Sequence, residues 1–338
     1  MTQLVAIAPQ PGSLCKRLFS TLLTQTTLLL ALIPATGLSA TEKYAPISVE
    51  MKLEKISEHV YYVQGKAGIA TENEGFISNA VAVTTPEGIV VIDALGSPSL
   101  AWHFLQLLKK VSSKPVVKVI MTHYHADHIY GLQVFKEQGA EILAPAGYLD
   151  YLESENARSR LEERQFSLEP WVNEDTRLLS ADKVIDKNQR FTLGNISFDL
   201  NYLGNAHSDG DLSVLIKPDN VLITGDLIFE GRIPFTGSAD TRHWLSLLEN
   251  LKHTKLTALI PGHGPAASKP DQAIKLTRRY LQQVRSIMKN AVDELMSFDD
   301  AYNAADWSEF EKLPAFEAAH RKNAYGVYLS LEQELLDQ

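Results

Sequence analysis

Short apolar runs, broken by Gly, Pro and charged pairs, set the rhythm of the chain from about residue 54 onward. His59 to Gln64, Ile77 to Thr84 and Gly88 to Ile92 are rich in β-branched and aromatic residues and bounded by Gly or Pro, which predicts strands. Pro86-Glu87-Gly88 reads as a hairpin turn. Helical spacing begins over Ser99 to Val111, where Trp102, Leu105 and Leu108 can share a face. Val116 to Met121 is a short apolar run of the kind a buried strand needs. A helix over about 131–138 and a strand over about 141–144 continue the alternation. Tyr148 to Arg164 is charged and helical in spacing, and it reads as an insertion. Strands are predicted near 183–186, 191–193, 196–203, 212–216 and 220–224, then a helix over Thr241 to Leu251 and a strand over Ala258 to Ile260. Beyond Pro270 the pattern is helical, with Asp271 to Leu295 the longest candidate. No repeat or Gly/Ser linker precedes this tail, so it is expected to pack on the main domain.

Composition narrows the class of protein. With 338 residues, 45% of them apolar, the chain can bury a sizeable core. Its 41 acidic against 32 basic side chains give a net charge of −9, a poor match for nucleic acid or an anionic membrane. A small-molecule substrate is the expected partner; the sequence sets no oligomeric state. Cys15 is the single cysteine, which excludes an intramolecular disulfide and a four-cysteine zinc site.

Residues 1–40 read as a signal peptide. No acidic residue precedes Glu42, Lys16 and Arg17 lead into the mostly apolar stretch Leu18 to Ile33, and Leu38-Ser39-Ala40 offers a small-residue cleavage site. An organelle transit peptide is the alternative, although arginine is scarce for one. The apolar stretch falls short of the about 20 residues of a membrane span, so no permanent anchor is expected. Removal of residues 1–40 takes away two positive charges and the only cysteine, leaving a net charge of −11. A chain without cysteine suits an oxidising compartment, and a periplasmic or secreted location is expected.

The chemistry concentrates in Thr122-His123-Tyr124-His125-Ala126-Asp127-His128, directly after the strand at 116–121. Three imidazoles and a carboxylate within six residues are costly to bury unless something uses them, and all are good ligands for zinc, iron or manganese. In a tight loop His123 and His125 can face one side and Asp127 and His128 the other, so one loop could feed two adjacent metals. At this composition, the spacing H-x-H-x-D-H arises by chance in roughly one of a couple of thousand chains. His207, Asp226 and His263 each follow an apolar run at a predicted strand end and sit near glycine, where backbone and ligand can approach closely.

The order H-x-H-x-D-H, His, Asp, Gly-His resembles the metallo-β-lactamase superfamily, over residues of about 54–267. The resemblance implies an α/β fold, the αββα sandwich, with metal at one edge. The expected organisation is then a lead-in at 41–53, the metallo-β-lactamase-fold domain at 54–267 and a helical C-terminal extension at 268–338. Carried over by position, His123, His125 and His207 would hold one metal, Asp127, His128 and His263 the other, and Asp226 would bridge them. Two zinc ions are the expected cofactor, with iron or manganese suited to the same donors. The implied activity is hydrolysis by a metal-activated hydroxide, with Asp127 the candidate catalytic side chain for orienting it or returning a proton. Asp211 is a candidate support for the site, with a simple turn residue as the equal alternative.

Asp226 separates this chain from the best-known β-lactamases of the superfamily, which place cysteine or serine there. It looks like the hydroxyacyl-thioester hydrolases, lactonases and general hydrolases. His125 disfavours the redox-active diiron branch, which typically has glutamate there. Glu74 to Ala80, Gly225 to Phe229 and Trp244-Leu245, with Arg278 to Leu281, His320 to Asn323, Tyr328-Leu329 and Leu331-Glu332 in the tail, resemble an exported group associated with sulfur oxidation and quinoprotein systems. The leading expectation is an exported binuclear zinc hydrolase of an ester, thioester, lactone or amide. The alternatives are a mononuclear iron persulfide dioxygenase using His123, His207 and Asp226, and a non-catalytic metal-stabilised binding domain. Pocket walls are expected from Gly65 to Gly75, Tyr148 to Trp171 and Phe229 to Asp240, with Tyr148, Tyr151, Trp171, Phe229 and Phe235 as apolar candidates. Arg232 reads as a solvated loop arginine first and an anion anchor second. His320 and the basic residues after it read as structural or surface positions.

Overall fold

In the computed structural model, which describes residues 43–251 and 256–337, two β-sheets lie between layers of helix. The leader expected at 1–40 and Cys15 lie outside the described residues. The first half of the chain runs β1 (Leu53–Lys55), β2 (Val60–Val63), β3 (Ala80–Thr85), β4 (Gly88–Ile92), α1 (Pro98–Leu108), β5 (Val116–Ile120), α2 (Ala126–Ile129), α3 (Leu132–Lys136), β6 (Glu141–Pro145), α4 (Gly147–Glu153), α5 (Glu155–Ser167) and β7 (Lys183–Ile185). The second half runs β8 (Gln189–Leu193), β9 (Ile196–Gly204), β10 (Asp211–Lys217), β11 (Val221–Phe229), α6 (Thr241–Asn250) and β12 (Ala258–His263). Then come α7 (Pro270–Asp293), α8 (Phe298–Ala304) and α9 (Phe316–Leu336).

Strands β1 to β7 form one sheet in chain order. Its β1–β4 pairings are antiparallel and its β4–β7 pairings parallel. The other sheet has the order β12-β11-β10-β9-β8, and only β11 and β12 are parallel. Period-two alternation sends Val60, Tyr62, Val81, Val83, Val90 and Ile92 of the first sheet inward against Phe198, Leu200, Val214, Ile216, Ile223 and Ile260 of the second. The intervening positions, Ala82, Val91 and Val119, turn outward to Phe104 and Leu108 of α1 and Phe135 of α3. On the far side Leu222 and Leu259 meet Trp244 of α6, Tyr280 and Val284 of α7 and Val327 of α9. This is the αββα arrangement, with a helical C-terminal tail. Each fully buried aliphatic or aromatic side chain contributes about 1.5–3 kcal/mol, so strands buried on both faces hold the sheets together.

Local chemistry starts the helices where the spacing places them. Ser97 Oγ accepts from Leu100 N at 3.2 Å with Pro98 at the first position of α1, and Asp240 caps α6 by accepting from His243 N at 2.9 Å. Four local expectations need correction. The buried face of α1 is Leu100, Ala101, Phe104, Leu105 and Leu108, whereas Trp102 turns toward Tyr44, 5.8 Å away between ring centroids. The insertion at 148–164 is two helices, because Ser154 leaves helical geometry and caps α5. The strand expected from Ile77 begins only at Ala80, since residues 73–78 form turns. Asp226 does not end a strand: β11 continues to Phe229, with its pairing to β12 shifting register around Gly225. Among the described residues no helix is long and apolar enough to cross a membrane.

Candidate metal centre

The parallel pairing of β4 with β5 brings the chain after both strands to one edge of the first sheet. That edge carries Asp93 and the histidine loop. The irregular part of β11, the end of β12 and the β9–β10 loop bring Asp226, His263 and His207 to the same place. The structure thus gathers all seven sequence-predicted donors into two adjoining groups: His123, His125, His207 and Asp226, and Asp127, His128 and His263. Within each group one nitrogen or oxygen from every residue lies within 4.8 Å of the others. His123 Nε2 and His207 Nε2 lie 3.1 and 2.8 Å from His125 Nδ1. Asp226 Oδ2 lies 3.3 Å from His207 Nε2 and 3.2 Å from His263 Nε2, so one carboxylate faces both groups. Asp127 Oδ2 is 3.3 Å from His263 Nε2 and 3.6 Å from His128 Nε2.

Three of the imidazoles are held from behind by oxygen atoms, whereas His207 Nδ1 is buried without a hydrogen-bond partner. His128 Nδ1 is 2.8 Å from Asp93 Oδ2, and His263 Nδ1 is 2.7 Å from the Ile77 carbonyl. His123 Nδ1 is 3.0 Å from Thr122 Oγ1, whose own hydrogen goes to Asp93 Oδ2 at 2.8 Å. Each arrangement puts the proton on Nδ1 and turns the Nε2 lone pair toward the centre. Asp93 also accepts from Thr122 N at 2.7 Å. Its backbone has φ of 61°, a strained conformation for a non-glycine residue that persists where the surroundings impose it.

The second half of the site depends on close backbone approach. A Cβ on Gly262 would stand 1.9 Å from Asp226 Oδ1 and 2.7 Å from the Gly225 carbonyl carbon. Gly225 itself has φ of +51°, and a Cβ there would meet Thr122 Oγ1 at 2.4 Å. Asn79, just before β3, ties that strand to the end of β12 that bears His263: its Nδ2 donates to Pro261 O and Gly264 O, both at 2.8 Å. Asp211 supports His207 through the backbone, accepting from Ala206 N at 3.1 Å and Ser208 N at 2.9 Å. Burial pushes its carboxyl up to about 6 against those bonds.

The donor set fits a metal better than it fits itself. His128 Nε2 and Asp226 Oδ1 are buried 3.2 Å apart, and neither makes a hydrogen bond. Burial holds His123 well below the usual histidine range and His125 down at about 3, which keeps both as neutral ligands. Burial also opposes charge on Asp226, yet His263, His128, His123 and His207 hold it well below the usual carboxylate range. Burial likewise opposes charge on His128, but Asp226, Asp93 and Asp127 outweigh it and hold the imidazole well above its ordinary value. Carboxylates that favour a positive charge on His128, beside His123 and His125 kept neutral, make a site where a hard or borderline cation can take the place of that proton.

The surroundings divide the other candidates. Phe229 stacks on His263 with centroids 5.0 Å apart, and Phe235 stands edge-on to His125 at 6.0 Å. Tyr151 stacks on Tyr124 at 4.3 Å. Tyr148 and Trp171 serve docking, their polar atoms bound to Leu179 O and Pro46 O. Arg232 is not solvated: it is 7% exposed, and its Nε has no hydrogen-bond partner. Its Nη1 stands 3.4 Å from His263 Nδ1, but that nitrogen already donates to Ile77 O, so the contact is not a hydrogen bond. Burial pulls the guanidinium below its ordinary range, against the attraction of Asp127 and Asp226. Asp93 was not among the sequence candidates; its signal was a carboxylate closing the apolar strand that runs beside the one feeding the histidine loop.

Comparison with known proteins agrees with this fold. A family model described as the metallo-beta-lactamase superfamily matches residues 73–263. The chain is 26% identical over 239 residues to a metallo-beta-lactamase type 2 of Elizabethkingia meningoseptica, covering 69% of this chain and 86% of that protein. Among solved structures it is similar to a metallo-beta-lactamase from Pontibacter korlensis, with a TM-score of 0.54, 20% identity, and coverage of 69% and 99% of the two chains. It is also similar to the stereoselective inverting sec-alkylsulfatase Pisa1 from Pseudomonas sp., with a TM-score of 0.66 and 18% identity. That likeness covers 83% of this chain but half of the longer sulfatase.

Proposed function

The chain belongs to the metallo-β-lactamase superfamily of metal-dependent hydrolases, and we propose that it is an exported, binuclear zinc enzyme cleaving an ester, thioester, lactone or amide. The observation that carries this reading is the position of Asp226, whose Oδ2 faces His207 of one donor group and His263 of the other. His123, His125 and His207 would hold one ion, Asp127, His128 and His263 the second, and Asp226 would lie between them. Zinc in such a site supplies Lewis acidity and a hydroxide nucleophile near neutral pH.

The chain's own residues provide the rest. Asp127 is 20% exposed at its side chain, the most open carboxylate of the centre, and its Oδ2 would orient the nucleophile and return a proton to the leaving group. Arg232 would bind an anionic group of the substrate, because a buried guanidinium without a full set of partners gains most from a carboxylate or sulfonate. Phe229 and Phe235 would keep water from the reacting bond. The β-lactamase relatives put a β-lactam among the amides to be tried.

The reading is tested by zinc-loading the purified protein and assaying ester, thioester, lactone and β-lactam panels beside Asp226→Ala. The substitution is expected to lower kcat/KM by at least about 100-fold and to cut the bound metal. Full activity with normal metal content in Asp226→Ala would refute the bridging role.

A further inference from the structure

The segment from Phe229 to Gly237 carries Arg232 and Phe235 to the metal centre, and it is held from behind by the C-terminal helices. Asn323 of α9 is 1% exposed. Its Nδ2 donates to Pro234 O at 2.7 Å, and its Oδ1 accepts from Thr236 N at 3.1 Å. One amide side chain thus binds the backbone on both sides of Phe235. Its second Nδ2 hydrogen goes to Tyr280 Oη of α7 at 2.9 Å, and Tyr280 Oη in turn donates to His320 Nδ1 at 2.9 Å. Both Nδ2 hydrogens and the Oδ1 of Asn323 are therefore engaged, which fixes its rotamer.

Further contacts reinforce the grip. Ile233 N donates to Pro314 O at 3.3 Å, ahead of α9. Phe229 N donates to Thr277 Oγ1 of α7 at 3.0 Å. The backbone of α9 comes so close at Gly326 that a Cβ there would lie 3.3 Å from Gly237 O. Lys322 Nζ sits 6.0 Å from the Phe235 ring centroid, whose ring faces His125. None of these residues supplies a metal donor.

We infer that the C-terminal extension is part of the substrate site, and that Asn323 is a positioning residue that holds the Arg232–Thr236 loop for binding an anionic substrate. The inference rests on the hydrolase reading for its catalytic consequence, but the hold on the loop does not depend on it. Asn323 acts on binding through Arg232 and Phe235, so its removal should raise KM and leave the metal centre intact.

The test compares wild type, Asn323→Ala, Tyr280→Phe and Arg232→Ala, all zinc-loaded. The probes are 4-nitrophenyl acetate and mono-4-nitrophenyl succinate, which share a leaving group and differ in charge. Metal content and hydrogen exchange over 230–237 are measured on the same samples. Asn323→Ala is expected to raise KM for the succinate about tenfold with kcat within about threefold. Its metal content should match wild type and its 230–237 amides should lose protection. Arg232→Ala should lose the preference for succinate without that loss of protection. Tyr280→Phe, which keeps its ring in the core, should move in the same direction by less, and it carries the test if Asn323→Ala fails to fold. Unchanged exchange and KM would overturn the proposal, as would a fall in kcat and metal with KM untouched. If Arg232→Ala keeps the succinate preference while Asn323→Ala still raises KM, the anion reading fails and the positioning role stands. If wild type hydrolyses neither ester, the exchange data alone decide the role of Asn323.

Discussion

His128 Nδ1 lies 2.8 Å from Asp93 Oδ2, although 35 residues separate them in the chain. The pair exists because β4 and β5 run parallel and release their chains at the same edge. Asp93 in turn orders Thr122, which backs His123. One carboxylate therefore orients a donor in each group. Asp93→Ala should lower zinc affinity by about 10–100-fold while the fold survives, as losing such supports does in other metal sites. Competition with a chromogenic chelator measures it, and unchanged affinity would count against this role.

A methyl group at Gly262 cannot be accommodated beside Asp226 Oδ1 and the Gly225 backbone. Gly262→Ala should displace Asp226 or the end of β12, and a shift of about 1 Å in a reacting site costs roughly 100-fold in rate. Steady-state kinetics with far-UV circular dichroism would separate a displaced site from a lost fold. Wild-type kcat/KM in this variant would contradict the packing described.

The candidate donors that the structure gathers are legible because they cluster in sequence or follow apolar runs. His123 to His128 stand together, His263 sits between two glycines at the end of a strand, and His207 follows a strand three residues after Gly204. What escaped depends on three-dimensional proximity. Asp93 is a single carboxylate after a strand and acquires meaning only beside Thr122 and His128. Arg232 read as a surface residue because arginine usually is one, and only the packing of α7 and α9 behind its loop buries it. Asp226 read as a strand end, since nothing in Thr-Gly-Asp announces that β11 resumes after its irregularity. The sheets and helices followed from period and punctuation, whereas the break at Ser154 depended on a cap.

His320 offers a pH-dependent stability free of the metal centre. It is packed among Phe316, Trp307, Tyr302 and Tyr280, and burial pulls its pKa from 6.5 to about 4. Between those values the unfolded chain takes up a proton that the folded chain refuses. Its contribution is present above about pH 6.5 and is lost as pH falls toward about 4. Urea unfolding across that window should show stability falling with pH, and His320→Phe should flatten that part of the profile. Parallel profiles for the two proteins would contradict the assignment.

The central claim is a two-ion centre bridged through Asp226, and counting metals tests it most directly. Protein purified from its native compartment without added metal should contain about two zinc ions per chain by elemental analysis, and Asp226→Ala clearly fewer. About one iron with little zinc would contradict the account and bring forward a mononuclear iron centre on His123, His207 and Asp226, with a persulfide as the first substrate to try.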